Sequence, residues 1–224
     1  MAKLYPAVTA VGQDRRSTVE SQVVKQSIKI IALIVLTGLC AGACADTQFL
    51  KVHYQLPAKS DTSEDIRVHL SFKDMRSNKA ILSEAARKAL TDFTGYFTLV
   101  VGPTDSNGTL LGAYDLETLI IEIFKRRLQH SGVKVAEEKD SNVEMTVRLK
   151  EFRLDLKSRK WFFNMSYQLD LTRNGKLIAS DKTGGNAERA KTIGAGDANK
   201  IISELLTDMI NRLDIAALLQ NAGR

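Results

Sequence analysis

The sequence predicts an α/β (α+β) single domain: a mixed β-sheet with a long antiparallel meander and helices packed on it, after an apolar amino-terminal leader. Three observations carry this. "VEMTVRLKEFRLDL" (143–156) and "KWFFNMSYQLDLT" (160–172) alternate apolar and polar residues, the period of half-buried strands. Residues 115–131 and 197–213 repeat apolar residues every three or four positions, the period of helices lying on a core. Before the long strands the chain alternates strand and helix, an order that calls for parallel pairings as well as antiparallel ones.

The leader holds the run "IKIIALIVLTGLCAGACADT" (28–47), uncharged from Ile30 to Ala45 but strongly apolar only as far as Leu39. A bilayer-spanning helix wants about 20 apolar residues, and shorter runs belong to signal peptides or cores. A core helix would show an amphipathic stripe, which is missing here. Lys25 and Lys29 precede the run, and Gly38, Ala41, Gly42 and Ala43 close it. Positive, apolar, then small is the order of a secretory signal peptide. The ending "LCAGAC" resembles the lipobox of bacterial lipoproteins, in which small residues fit a peptidase cleft ahead of the cysteine that carries lipid. Cys44 follows Ala41, Gly42 and Ala43, with Ala41 where the lipobox usually has Leu; Cys40 follows Leu39 and fits badly.

The expected product therefore begins at Cys44, bearing a covalent diacylglycerol and a fatty acyl chain such as palmitate. Each buried CH₂ adds about 0.8 kcal/mol to membrane attachment. The alternative is ordinary signal cleavage, leaving Cys44 a free thiol. Residues 1–23 are long and polar for a leader, and "VKQSIKIIALIVLTGLCAGAC" forms a complete signal from Val24, so translation is expected to start there. Residues 1–43 are thus read as leader and lipoprotein signal peptide, 44–64 as a lipidated tether and 65–221 as the domain.

Removing the leader takes away five Lys/Arg and two Asp/Glu, leaving 27 positive and 24 negative residues, a net of +3 against +6 for the whole chain. So small an excess is no argument for nucleic acid. With Cys44 acylated no thiol remains for a disulfide or a cysteine metal site. No cofactor is expected.

Along the domain, "LPAKSDTSED" is polar and turn-rich, with a short strand possible at Val52–Leu56. In "IRVHLSFKD", Ile66, Val68, Leu70 and Phe72 alternate with polar residues as a strand. "ILSEAARKALTDF" reads as a short helix and "YFTLVVG" as a buried strand. Asp115 can cap the next helix, Leu116, Leu119, Ile120, Ile123, Phe124 and Leu128 give it one apolar face, and Gly132 stops it before the short strand "VKVAE". The long alternating strand slips phase at Lys150–Glu151, which predicts a bulge. Asn174–Gly175 predicts a type I′ hairpin. A glycine-dotted loop over 183–196 should lead to a last helix capped by Asp197, with Ile202, Leu205, Leu206, Met209 and Leu213 inward.

Chemistry-bearing patterns are sparse. His53 and His69 fall on the polar faces of their strands and His130 at a helix end, without metal-pair spacing, HExxH or a nucleophile elbow. "GTLLGAYD" and "TGGNAERAKTIGAGD" read as glycine-bearing loops before helices, but neither spells a phosphate-binding motif. Arg153, Lys157, Arg159 and Lys160 read as a solvated hairpin end or a membrane-facing patch. Glu137, Glu138 and Asp140 sit in a charged loop with nothing apolar to raise a pKa. The densest polar cluster is Asp74, Arg76, Ser77, Asn78 and Lys79. Its bland reading is a rigid turn. Its functional reading is a recognition loop, with Arg76 and Lys79 meeting a lipid head group or a partner's carboxylates.

That cluster in "VHLSFKDMRSNKAIL", followed by "YDLETLIIEIFKRRLQHSGVKV" and a closing amphipathic helix, resembles the YajG family of bacterial lipoproteins over roughly residues 50–220. The resemblance implies a small α/β domain on a lipid anchor in the Gram-negative envelope, without assigned enzymatic activity. Its architecture is similar to auxiliary lipoproteins of envelope ABC transporters and to the amino-terminal domain of TolB. The expected function is therefore non-enzymatic binding of a protein or lipid partner in the periplasm, or alternatively an auxiliary role in ABC lipid transport. Expected partners are the membrane, through the anchor, and an envelope protein; no nucleic acid is expected. Ala45 after the cysteine favours the outer membrane, since Asp there favours inner-membrane retention.

Overall fold

A computed structural model describes residues 48–58, 66–103, 108–137, 141–192 and 194–223. Among these, the chain order is β1 (Gln48–Leu56), β2 (Arg67–Asp74), α1 (Glu84–Ala89), β3 (Phe93–Pro103), β4 (Thr109–Tyr114), α2 (Leu116–His130), β5 (Lys134–Ala136), β6 (Val143–Lys157), β7 (Lys160–Arg173), β8 (Lys176–Ala190), α3 (Gly196–Asn211) and α4 (Ile215–Gly223). The fold class is the predicted one, but the strands form two mixed sheets, ordered β1-β3-β4 and β5-β2-β6-β7-β8. In the first, β1 runs parallel to β3 and β4 antiparallel to it. In the second, β2 pairs in parallel with β5 and β6, and β6, β7 and β8 form the antiparallel meander.

The meander forms where the alternation places it. Trp161, Phe163, Met165, Tyr167, Leu169 and Leu171 line the inner face of β7, each at most 2% exposed. The register slips between Leu149 and Glu151, the predicted bulge. Asn174 and Gly175 adopt φ of 48° and 77°, as a type I′ turn requires. Asp115 caps α2 by accepting from the Thr118 amide, and Ser83 caps α1 from that of Ala86. The two sheets share one core. Phe97 of β3 meets Phe152 of β6 edge-on at 5.8 Å between ring centroids, and Phe152 meets Phe163 at 4.9 Å.

Three boundaries differ from expectation. The compact unit begins at Thr47, so the tether predicted over 44–64 is largely domain: Leu50, Val52 and Tyr54 of β1 are fully buried. The polar run after Pro57 hid this, because it reads as continuous with the residues before it. "GTLLGAYD" is mostly strand β4 rather than loop, because its backbone pairs with β3. The first half of the predicted loop at 183–196 is likewise the end of β8, and its Gly185 belongs to packing. A Cβ on Gly185 would lie 3.0 Å from Leu205 Cδ1 and 3.2 Å from Met209 Sδ, so the absence of a side chain lets α3 settle onto the sheet.

Gly185→Val should therefore destabilise the fold by about 1–3 kcal/mol through overpacking. Gly184→Val, on the exposed face, should change stability by less than about 0.5 kcal/mol. Urea unfolding midpoints of the two variants test this difference.

Candidate functional site

A concavity lies between β1 and α3. It has a volume of about 760 Å³ and is lined by Lys51, His53 and Gln55 from the strand and by residues of one helix face. β1 is an edge strand, so its outward amides lack a strand partner. α3 supplies the partners instead. The Lys51 amide donates to Asn199 Oδ1 at 2.9 Å, the His53 amide to Ser203 Oγ at 2.9 Å, and the Gln55 amide to Thr207 Oγ1 at 3.2 Å. Asn211 Nδ2 then donates to the Gln55 carbonyl at 2.8 Å, while Asn211 Oδ1 accepts from the Tyr54 hydroxyl.

The match is geometric. Four helical residues rise about 6 Å, and two strand residues advance about 6.6 Å, so side chains at i, i+4 and i+8 keep step with alternate amides. The sequence carried this signal as the stripe Asn199, Ser203, Thr207, Asn211, polar residues at strict four-residue spacing on the helix whose other face was read as core. Sequence reasoning noticed only the apolar face.

This arrangement consumes the groove's hydroxyls. Ser203 Oγ accepts from His53 and donates to the Asn199 carbonyl at 2.6 Å, which leaves it no proton for chemistry. His53, which the alternation places on a polar strand face, has its Nε2 buried without a hydrogen-bond partner among the described residues. A Cβ placed on Gly108 would stand 3.1 Å from that nitrogen. His130 Nε2 is also engaged, with the Pro57 carbonyl at 2.9 Å. Among the described residues, no group of three His, Cys, Asp or Glu side chains could hold a metal ion. None of their helices is long and apolar enough to cross a membrane. Asp197, expected to cap α3, instead accepts from the Thr192 amide and hydroxyl and ties down the loop before the helix.

The Asp74–Lys79 cluster follows β2. Arg76 is only 8% exposed and turns inward, gripping Asp74 with Nε to Oδ1 and Nη2 to Oδ2, both at 3.0 Å. Lys79 Nζ reaches the Asp74 carbonyl at 2.8 Å and its Oδ1 at 3.1 Å. Asn78 Oδ1 accepts from the Ala80 amide, an Asx turn. Arg76 is thus spent inside the loop, and Ser77, Asn78 and Lys79 form its exposed surface. The Arg76 guanidinium holds the Asp74 carboxyl well below the usual carboxylate range.

The outer face of the larger sheet carries a second polar network. Asp170 accepts from Gln168 Nε2 and Ser180 Oγ, both at 2.8 Å, and from Arg148 Nε at 2.5 Å. Burial alone would raise its pKa, but these donors outweigh it and the carboxyl stays below its ordinary value. Of the remaining expectations, Cys44 and the leader lie outside the described residues, as do Glu138 and Asp140. The basic run is a hairpin end, with Lys157 paired to Asp155 at 2.8 Å and Lys160 to Glu188 at 3.0 Å.

No known protein family matches the chain, and no curated protein is significantly similar. Solved structures share part of the outline. A Xanthomonas campestris protein of the family designated DUF330 is 14% identical with a TM-score of 0.49, over 79% of this chain and 99% of that one. A hypothetical protein from Chlamydia trachomatis is 7% identical with a TM-score of 0.42, over 72% and 100%. A minor lipoprotein from Acinetobacter baumannii is 15% identical with a TM-score of 0.34, over 72% and 95%.

Two substitutions probe these sites. Ser203→Ala should cost about 1–2 kcal/mol, the penalty for leaving the His53 amide without an acceptor. Asp74→Asn should cost about 2 kcal/mol at neutral pH, the scale of hydrogen bonds to a charged group. The depressed folded-state pKa means that Asp74 stabilises above its unfolded pKa of about 3.9 and loses that contribution as pH falls towards the folded value. The stability gap between wild type and Asp74→Asn should therefore narrow below about pH 4 in acid-dependent urea titrations.

Proposed function

We propose that this chain is a lipid-anchored, non-enzymatic protein of the bacterial cell envelope. Acylated Cys44 holds it, and its domain binds a protein or lipid partner in the periplasm. The observation that carries the reading is the lipobox-like "LCAGAC" placed directly ahead of the compact unit, which begins at Thr47. Cleavage before Cys44 removes the whole apolar leader and leaves Cys44, Ala45 and Asp46 as the connection. Three residues span at most about 10 Å, which keeps the proposed anchor close to the domain.

The chemistry of the domain supports binding over catalysis. The hydroxyls of the groove hold backbone amides, and the Nε2 of His53 beside them is buried. The groove carries Lys51, Gln55, Asn199 and Asp208 among its lining residues, polar groups that a protein partner can meet. The YajG-like loop contributes through Ser77, Asn78 and the exposed Lys79, which also braces Asp74, whereas Arg76 is buried against Asp74. Ala45 points to the outer membrane as the site of residence.

Mass spectrometry of the protein extracted from a Gram-negative envelope tests the anchor. The amino-terminal peptide should start at Cys44 and carry diacylglycerol and acyl mass, and the protein should sediment with outer-membrane fractions. Cys44→Ala should abolish processing at that position and remove the lipid. A wild-type terminus with an unmodified thiol at Cys44 would sink the proposal.

A further inference from the structure

Of the strand edges in this fold, β8 is the one left long and open. The β1 edge is closed by the side chains of α3, β5 has three residues, and β4 has six. β8 has fifteen residues and no proline, and its one register irregularity lies near the hairpin turn, opposite Leu171 and Thr172. From Ala179 to Ala190 the strand is regular. The Lys191 amide donates to the Arg159 carbonyl, in the register that pairs Ala190 with Lys160. Odd-numbered residues of β8 therefore direct their backbone groups to β7, and even-numbered ones direct theirs outward. Among the described residues, no hydrogen bond engages those outward groups from Ser180 to Ala190. Such an edge templates another strand unless something blocks it.

The charges along the strand specify which strand. Asp181, Lys182, Glu188 and Arg189 are symmetric about Gly185 with inverted sign. We propose that this edge is a homodimer interface, in which two copies of the chain pair β8 with β8 antiparallel about Gly185. In that register Lys182 lies opposite Glu188 of the second copy, Asp181 opposite Arg189, and both pairs recur by the twofold. The outward even-numbered residues face one another, as an antiparallel ladder requires. Shifting the register by two residues in one direction leaves none of these four opposite an opposite charge, and in the other direction leaves only Asp181 opposite Lys191. Asp181 and Lys182 make no ion pair within the described part of the chain, so both are available. Glu188 and Arg189 already face Lys160 and Glu204, and each can take a second partner of the same sign. Lys182 and Glu188 stand on the exposed face, and the dyad runs perpendicular to the sheet.

The test uses the full chain extracted in detergent, with mass measured by light scattering across a dilution series. Wild type should be a dimer. Lys182→Glu and Glu188→Lys each place like charges opposite one another twice per dimer and should weaken self-association by about ten- to thirtyfold. The double exchange restores both pairs and should recover the dimer. An equimolar mixture of the two single variants should also associate, because each supplies the charge the other lacks. Both positions are exposed, so both variants should stay folded, and thermal midpoints are compared at dilutions where every protein is monomeric. There Lys182→Glu should match wild type, while Glu188→Lys, which also loses the exposed Lys160 pair, should fall only slightly below it. A wild-type monomer throughout the series, or a dimer that neither reversal weakens, would overturn the proposal. So would single variants that associate no better mixed than alone.

Discussion

The edge of β1 sets the constraint on which this domain depends. A strand that enters the core with Leu50, Val52 and Tyr54 must leave a row of amides on its free side. Water could satisfy them only if the edge stayed open, yet α3 packs there, against β1 as well as β7 and β8. The conflict is resolved by giving α3 two chemistries. Its apolar residues, Ile201, Leu205 and Met209 among them, face the sheets, while Asn199, Ser203, Thr207 and Asn211 act as a surrogate strand. Each buried amide left without a partner would cost about 1–3 kcal/mol, so the stripe is as necessary as the apolar face.

The same economy runs through the rest of the molecule. Polar residues that look available in the sequence are mostly committed to holding backbone in place. Arg76 and Lys79 brace the turn after β2 through Asp74. Asp197 fixes the approach to α3 from Thr192. Arg127, buried in α2, donates to Ser131 Oγ at 2.5 Å and to the Leu213 carbonyl at 3.3 Å, joining α2 to the end of α3. In these networks the polar side chains are spent on the fold itself, which is in keeping with the binding role proposed above.

Edge management also links structure to assembly. Charges on an edge strand ordinarily discourage pairing, because an arbitrary partner meets them unmatched. Arranged symmetrically about a glycine, the same charges reject most partners and accept one. The closed β1 edge and the open β8 edge thus represent two solutions to one problem within a single fold.

Local periodicity by itself determined the meander, the helix faces, the Asn174–Gly175 turn and the Lys150 bulge, because each follows from side-chain spacing along a few neighbouring residues. The expected signal and the candidate lipid site at Cys44 are likewise read as linear strings. Tertiary structure alone decided that the strands divide into two sheets, that β1 belongs to the domain, and that Gly185 lies in a strand beneath a helix. It also decided that Arg76 points inward, although its neighbours Met75 and Ser77 are exposed. These outcomes depend on partners more than a hundred residues away, as for His53 and Ser203, or on a space such as the one Gly185 leaves for Leu205. A single chain position does not encode what will stand opposite it once the fold has closed.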